Sequence, residues 1–134
     1  MRSASQTLSP VAAWYRPTVY YYGGALIVIG LVSVVLGGLP HWTVLIPAIL
    51  GGLVCLAGFA ARQGVLSDVA ASACALTIAL LALAGTATAV PVLPYALAGS
   101  SDVANAGAVV ARSATALVSG GFVVTILLLW WRSR

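Results

Sequence analysis

The chain has 134 residues, of which 62% are hydrophobic and only 6% charged, with six basic residues against two acidic ones and a formal net charge of +4. An ordinary soluble domain carries roughly 25% charged residues, and a water-soluble fold of this size has no means of hiding so much apolar surface. The basic balance does not point to nucleic acid, because that partner needs a basic face or stripe, whereas Arg2, Arg16, Arg62, Arg112, Arg132 and Arg134 are scattered at the ends of apolar runs.

Ser9-Pro10-Val11-Ala12-Ala13-Trp14-Tyr15-Arg16 opens with a capping residue and a proline at the first helical position. It predicts a short helix lying on the membrane surface within residues 1–18. From Val19 up to Arg62, and again from Val69 to Ser101, there is no acid, Lys or Arg. Crossing a hydrocarbon layer of roughly 30 Å takes about 20 helical residues, so these runs hold two spans and one span, and another follows Arg112. The first helix is expected over about 19–39, closed by Gly37-Gly38 and then Pro40. It covers a full membrane thickness without a small-x-small cleavage site, and is therefore read as retained.

The second helix is expected over about 43–61, with Pro47 in its first turns, where a missing N–H costs least. The link Pro40-His41-Trp42 is short enough to make the first two helices an antiparallel hairpin. Ser67 or Asp68 caps the third helix, expected over about 69–90 and stopped by Pro91 and Pro94. Ser100-Ser101-Asp102 opens the fourth, over about 103–131, whose roughly 45 Å leave its first third outside the hydrocarbon. The predicted fold is all-α, a single integral membrane four-helix bundle preceded by a short interfacial helix.

Four spans put the N-terminus, the second turn and the C-terminus on one side, together with Arg2, Arg16, Arg62, Arg132 and Arg134. The positive-inside rule then makes both termini cytoplasmic. Basic residues that are all Arg, with abundant Ala and Gly, suggest a GC-rich bacterial genome, so the expected location is the bacterial inner membrane. Trp14, Tyr15, Arg16, Tyr20, Tyr21 and Tyr22 at the start of the first helix, with Trp130 and Trp131 at the end of the last, are read as interfacial anchors.

Chemistry-bearing residues are few. Proton-coupled exporters of the small four-helix multidrug type depend on a glutamate in the first helix; this chain has no Glu, and Asp68 and Asp102 lie at predicted helix ends. His41 is the single histidine and the one candidate axial ligand for a haem or pigment; interfacial hydrogen bonding is its plainer role. Cys55 and Cys74 read as small buried side chains. Arg112 lies about 19 residues, roughly 29 Å, before Trp131, which puts it at the opposite boundary. There it snorkels to a lipid phosphate, pairs with Asp102, or holds the carboxylate of an amphipathic ligand.

Small residues lie at helical spacing along Ala71, Ala75, Ala79, Ala82 and Thr86, along Thr115-Ser119 and Ala116-Gly120, and along Ala48-Gly52 and Gly51-Gly58. Such faces let backbones approach closely in lipid. No buried acid, metal cluster or nucleophile arrangement is legible, so the chain is read as non-catalytic and without a required cofactor. The leading expectation is an accessory subunit of a larger respiratory or photosynthetic type of membrane complex, with lipids and other integral membrane subunits as partners. A carrier of lipid or another hydrophobic molecule, and a pigment- or haem-contacting module, are the alternatives.

The run from Thr43 to Phe59, TVLIPAILGGLVCLAGF, following Tyr22-Gly23-Gly24-Ala25-Leu26, resembles small bacterial four-helix membrane proteins of unassigned role and, more remotely, the family of similar size that includes plastid fatty-acid exporters. The resemblance covers about residues 18–131 and implies a four-helix membrane fold. Basic or histidine residues open the third helix of those bacterial proteins where this chain has Ser67-Asp68, and no site residue carries over.

Overall fold

The computed structural model of the chain describes residues 10–37, 45–99 and 106–132 and is all-helical. Four main helices, α1 (Pro10–Gly37), α2 (Ile46–Arg62), α3 (Asp68–Thr86) and α5 (Ala106–Arg132), form the bundle. Between α3 and α5 run a 3-10 segment (Ala87–Val92) and a short α4 (Leu93–Leu97). α1 packs on α2 and α5, and α3 packs on the same two, with α1 and α3 meeting less extensively across the diagonal. Three stretches, Tyr15–Val35, Asp68–Leu97 and Gly107–Arg132, are long and apolar enough to cross a membrane. The fourth, α2, has 17 residues, the short end of what a span needs.

Two expectations about helix limits are corrected. The surface helix and the first membrane helix are one continuous α1, with Pro17 inside it. A proline removes one backbone donor and crowds the carbonyl four residues back; here the helix is held on both sides of it, by Arg16 tied to Asp68 and by Val19 buried in the core. Nor do Pro91 and Pro94 stop the chain's helical path. The ring of Pro91 would strike the carbonyl of Ala87 in an α-helix, and Ala87 is where the winding tightens to 3-10. Pro94 then falls in the first turn of α4, where its missing N–H has no intrahelical partner to lose.

The core is Val19, Tyr22 and Leu26 from α1, Val54 from α2, Ala75 and Ala79 from α3, and Phe122 and Ile126 from α5. Many of the larger apolar side chains point the other way: Val28, Leu31, Leu56, Phe59, Leu80, Leu81, Leu127 and Leu128 are exposed. Small residues inside and large ones outside is the arrangement that suits helices in lipid, where close backbone contact rather than water exclusion holds them together. The alanine face of α3 is buried as its spacing predicted, at Ala71, Ala75, Ala79 and Ala82, and so are Thr115, Ala116 and Ser119 on α5.

The tightest contact is the α1–α2 seam. A Cβ added to Gly23 would lie 2.6 Å from Cys55 Sγ and 3.0 Å from the Gly51 carbonyl oxygen; one added to Gly51 would lie 2.5 Å from the Gly23 carbonyl oxygen. Farther along, Gly30 meets Ala48 at 2.6 Å by the same construction. Gly52, in contrast, faces open space, so the α2 residues that meet α1 are Ala48, Gly51, Cys55 and Gly58, and the expected pairing of Ala48 with Gly52 on one face is not found. Cys55 sits half-buried in this seam, whereas Cys74 is exposed rather than buried; both thiols are free.

Adjacent glycines on α2 therefore differ in what they tolerate. Gly51→Leu is expected to cost about 1–3 kcal/mol or more through overpacking, and Gly52→Leu to leave stability within about 0.5 kcal/mol. Thermal unfolding of the two variants in one detergent checks this; equal midpoints would contradict the seam.

Candidate functional site

The turn after α2 builds the most polar corner of the bundle. Gln63 N–H donates to the Phe59 carbonyl at 3.0 Å, Gly64 N–H to Ala61 at 3.1 Å and Val65 N–H to Ala60 at 3.0 Å. Gly64 has φ 74°, a left-handed conformation that glycine adopts without a Cβ clash. Ser67, with extended backbone, caps α3 by accepting from Ala70 N–H at 3.1 Å. Asp68 is left free to point sideways from the first turn of the helix, where a carboxylate also suits the helix dipole.

Arg16 reaches Asp68 from α1. Its Nε donates to Oδ1 at 2.8 Å and its Nη2 to Oδ2 at 3.1 Å, the two-pronged geometry that matches guanidinium to carboxylate. Tyr15, Val19, Tyr20, Gly58, Ala61, Ala71 and Ser72 surround the pair. The crevice among them has a volume of about 10 Å³, room for a single water. Ser72 Oγ is turned back onto the Asp68 carbonyl at 2.8 Å. Both charges are thus satisfied by each other, and the arrangement ties α1 to α3 rather than presenting a free acid or base. Among the described residues no group of three His, Cys, Asp or Glu comes together to hold a metal ion.

A second polar contact lies deeper. Tyr22 OH and Ser119 Oγ are 3.0 Å apart, linking α1 to α5, and the Tyr22 ring stacks on Phe122 with centroids 4.2 Å apart and planes 16° from parallel. Tyr22 is only 3% exposed, so it is a core residue and not the interfacial anchor its position in the tyrosine run predicted. Consecutive residues on a helix point about 100° apart, which sends three adjacent tyrosines in three directions: Tyr20 to the crevice, Tyr21 outward at 80% exposure, and Tyr22 inward.

Of the other predicted positions, Tyr15 and Arg16 line the crevice, and Trp130 and Trp131 are exposed near the end of α5, at 49% and 78%. Trp14 belongs to α1, but its side chain lies outside the described residues, as do His41 and Asp102 entirely. Arg112 is exposed on α5; its expected pairing with Asp102 falls outside the described residues. Sequence reasoning missed the Arg16–Asp68 pair, whose members are 52 positions apart, having assigned Asp68 only to capping. The available signal was that the hairpin topology places both residues at one end of the bundle. Comparison with protein families, with curated proteins and with solved structures finds no match, so the site rests on this geometry alone.

Arg16→Gln and Asp68→Asn should each lower the thermal midpoint, and the double variant should lose no more than the worse single one, since removing both partners leaves no unmatched charge. Additive losses in that cycle would show that the two residues act separately. Tyr22→Phe should cost about 1 kcal/mol through the lost hydrogen bond while keeping the ring stack; unchanged stability would remove this bond from the account.

Proposed function

We propose that this chain is a non-catalytic subunit of a larger membrane protein assembly, crossing the bacterial inner membrane four times with both termini on the cytoplasmic side. The observation that carries the reading is a notch on the outside of the α1–α2 hairpin. Added Cβ atoms on Gly24 and Gly52 meet nothing within 4 Å. Their neighbours Gly23 and Gly51 face each other across the seam. The next residue turns by about 100° on each helix, and because the helices are antiparallel the two turns go to the same flank. Gly24 and Gly52 therefore open side by side at one depth, on the flank opposite buried Tyr22 and Val54.

Exposed Leu31, about two turns along α1, and exposed Phe59, about two turns along α2, bound the notch at its two ends. Glycine inside a helix costs about 1 kcal/mol relative to alanine, and nothing among the described residues requires glycine at either position. A neighbouring helix that packs into the notch supplies the reason. The Arg16–Asp68 pair supports a structural role in the same way, since it consumes both charges in holding α1 to α3. Arg16, Arg62 and Arg132 at one end of the bundle, with exposed Trp130 and Trp131, fit a cytoplasmic headgroup layer. Exposed Arg112 toward the other end fits contact with lipid phosphates there.

The test is the chain extracted from its native membranes in mild detergent. The unsubstituted protein should migrate well above the 13.5 kDa of one chain, and Gly24→Leu with Gly52→Leu should return it to monomer size at an unchanged thermal midpoint. A wild-type protein that runs as a lone monomer sinks the subunit reading; a double variant that stays assembled sinks the notch.

A further inference from the structure

The end of the bundle away from Arg16 and Asp68 holds a polar group that its surroundings do not satisfy. Ser113 on α5 is fully buried, and its Oγ has no hydrogen-bond partner among the described residues. Six other helical hydroxyls are matched within their own helix: those of Ser33, Ser72, Thr77, Thr86, Thr115 and Thr125 each donate to the carbonyl four residues back. A buried hydroxyl without a partner has lost its hydration and gained nothing.

What covers Ser113 follows from helix geometry. Ser113 precedes Gly120 by about two turns and shares its face of α5, and a Cβ on Gly120 would touch Leu83 of α3 at 3.8 Å. α3 and α5 are antiparallel, so stepping back about 10 Å along α5 means stepping forward along α3 and beyond it. α3 supplies about 6 Å of that distance up to Ala87, and the remainder falls within the 3-10 segment at about 2 Å per residue, beside buried Ala89. The 3-10 segment and α4 both pack on α5.

Little holds this cover down. The side chains it buries fully are Ala89 and Ala96, with Val90 and Leu93 half-buried, while Val92, Tyr95 and Leu97 point outward, and apolar area removed from the surroundings is what would secure it. Glycines flank it on both sides. Gly85 has no packing contact that requires glycine, and Gly99 has φ 69°, a conformation that suits a pivot.

We propose that Ala87–Leu97 is a lid hinged at Gly85 and Gly99, whose opening admits water from the side opposite the arginine-bearing end to the hydroxyl of Ser113. Opening restores hydration to the unmatched hydroxyl and gives up the contacts of two alanines and of half-buried Val90 and Leu93. α3 before Gly85 stays closed, because its Ala75 and Ala79 belong to the central core with Tyr22, Leu26, Val54 and Phe122, which Ala89 and Ala96 do not join.

The experiment places a thiol at the position in question. In a background carrying Cys55→Ala and Cys74→Ala, Ser113→Cys in lipid nanodiscs is treated with a membrane-impermeant maleimide. Ala75→Cys, equally buried at 0% exposure in the body of α3, is the reference. Ser113→Cys should react at least ten-fold faster than Ala75→Cys, and adding Ala96→Leu, which wedges the lid, should raise that rate several-fold more without changing the reference. Equal rates at the two thiols overturn the lid, and so does indifference to Ala96→Leu. Hydrogen exchange on the unsubstituted chain gives an independent reading that does not depend on any variant folding. Amides of Ala87–Leu97 should exchange together at least ten-fold faster than those of central α3, and equal protection overturns the proposal.

Discussion

Contact distance between backbones is the constraint on which this structure depends. A helix surrounded by hydrocarbon gains little by exchanging lipid for another apolar surface, so helices hold together where their backbones come near enough for dense dispersion contact and complementary polar groups. Gly23 against Gly51, and Gly30 against Ala48, bring α1 and α2 to that distance. With the two axes so close, Val19, Tyr22, Leu26 and Val54 all fall on one flank of the hairpin and become half of the core. The other half is complementary in size: α3 contributes Ala75 and Ala79, leaving room for the stacked rings of Tyr22 and Phe122.

The polar contacts then fix which helix sits where. A ring of four apolar helices held by small residues alone tolerates rotation about each axis, because one alanine face resembles another. Arg16 to Asp68 sets α1 against α3 at one end, and Tyr22 to Ser119 sets α1 against α5 at mid-bundle. Each joins residues far apart in sequence, 52 and 97 positions. Hydrogen-bonded pairs that form in one arrangement only are the means by which an apolar bundle acquires a single register.

The parts legible in the sequence were those set by periodicity over one helix. Ala71, Ala75, Ala79 and Ala82 repeat at helical spacing and proved to be one buried face; the breaks near Gly37, Arg62 and Ser67 divided the chain into its helices because capping and turn chemistry act within a few residues. What was not legible depends on the rotation of one helix against another. Tyr22 carries the same signal as Tyr20 and Tyr21 until Ser119 and Phe122 are known to lie opposite. Asp68 looks like a capping residue until Arg16 arrives from α1. Pro17 and Pro91 mislead for a related reason: a proline's local effect is certain, but whether the chain breaks, continues or changes its winding is decided by the packing on either side.

The two ends of the bundle are consequently unlike in how they handle polarity. At the arginine-bearing end, charge is paired in a two-pronged contact, the turn is closed by backbone hydrogen bonds, and Ser67 caps α3. At the other end, α3 gives way to a 3-10 segment whose winding accommodates Pro91, the fully buried side chains shrink to alanine, and Ser113 is buried with its hydroxyl unmatched among the described residues. Local opening begins where few buried apolar contacts and poorly satisfied polar groups coincide. A bundle built this way is tightest along the α1–α2 seam, where Gly23 meets Gly51, and yields at the far end of the α3–α5 flank, where movement leaves that seam undisturbed.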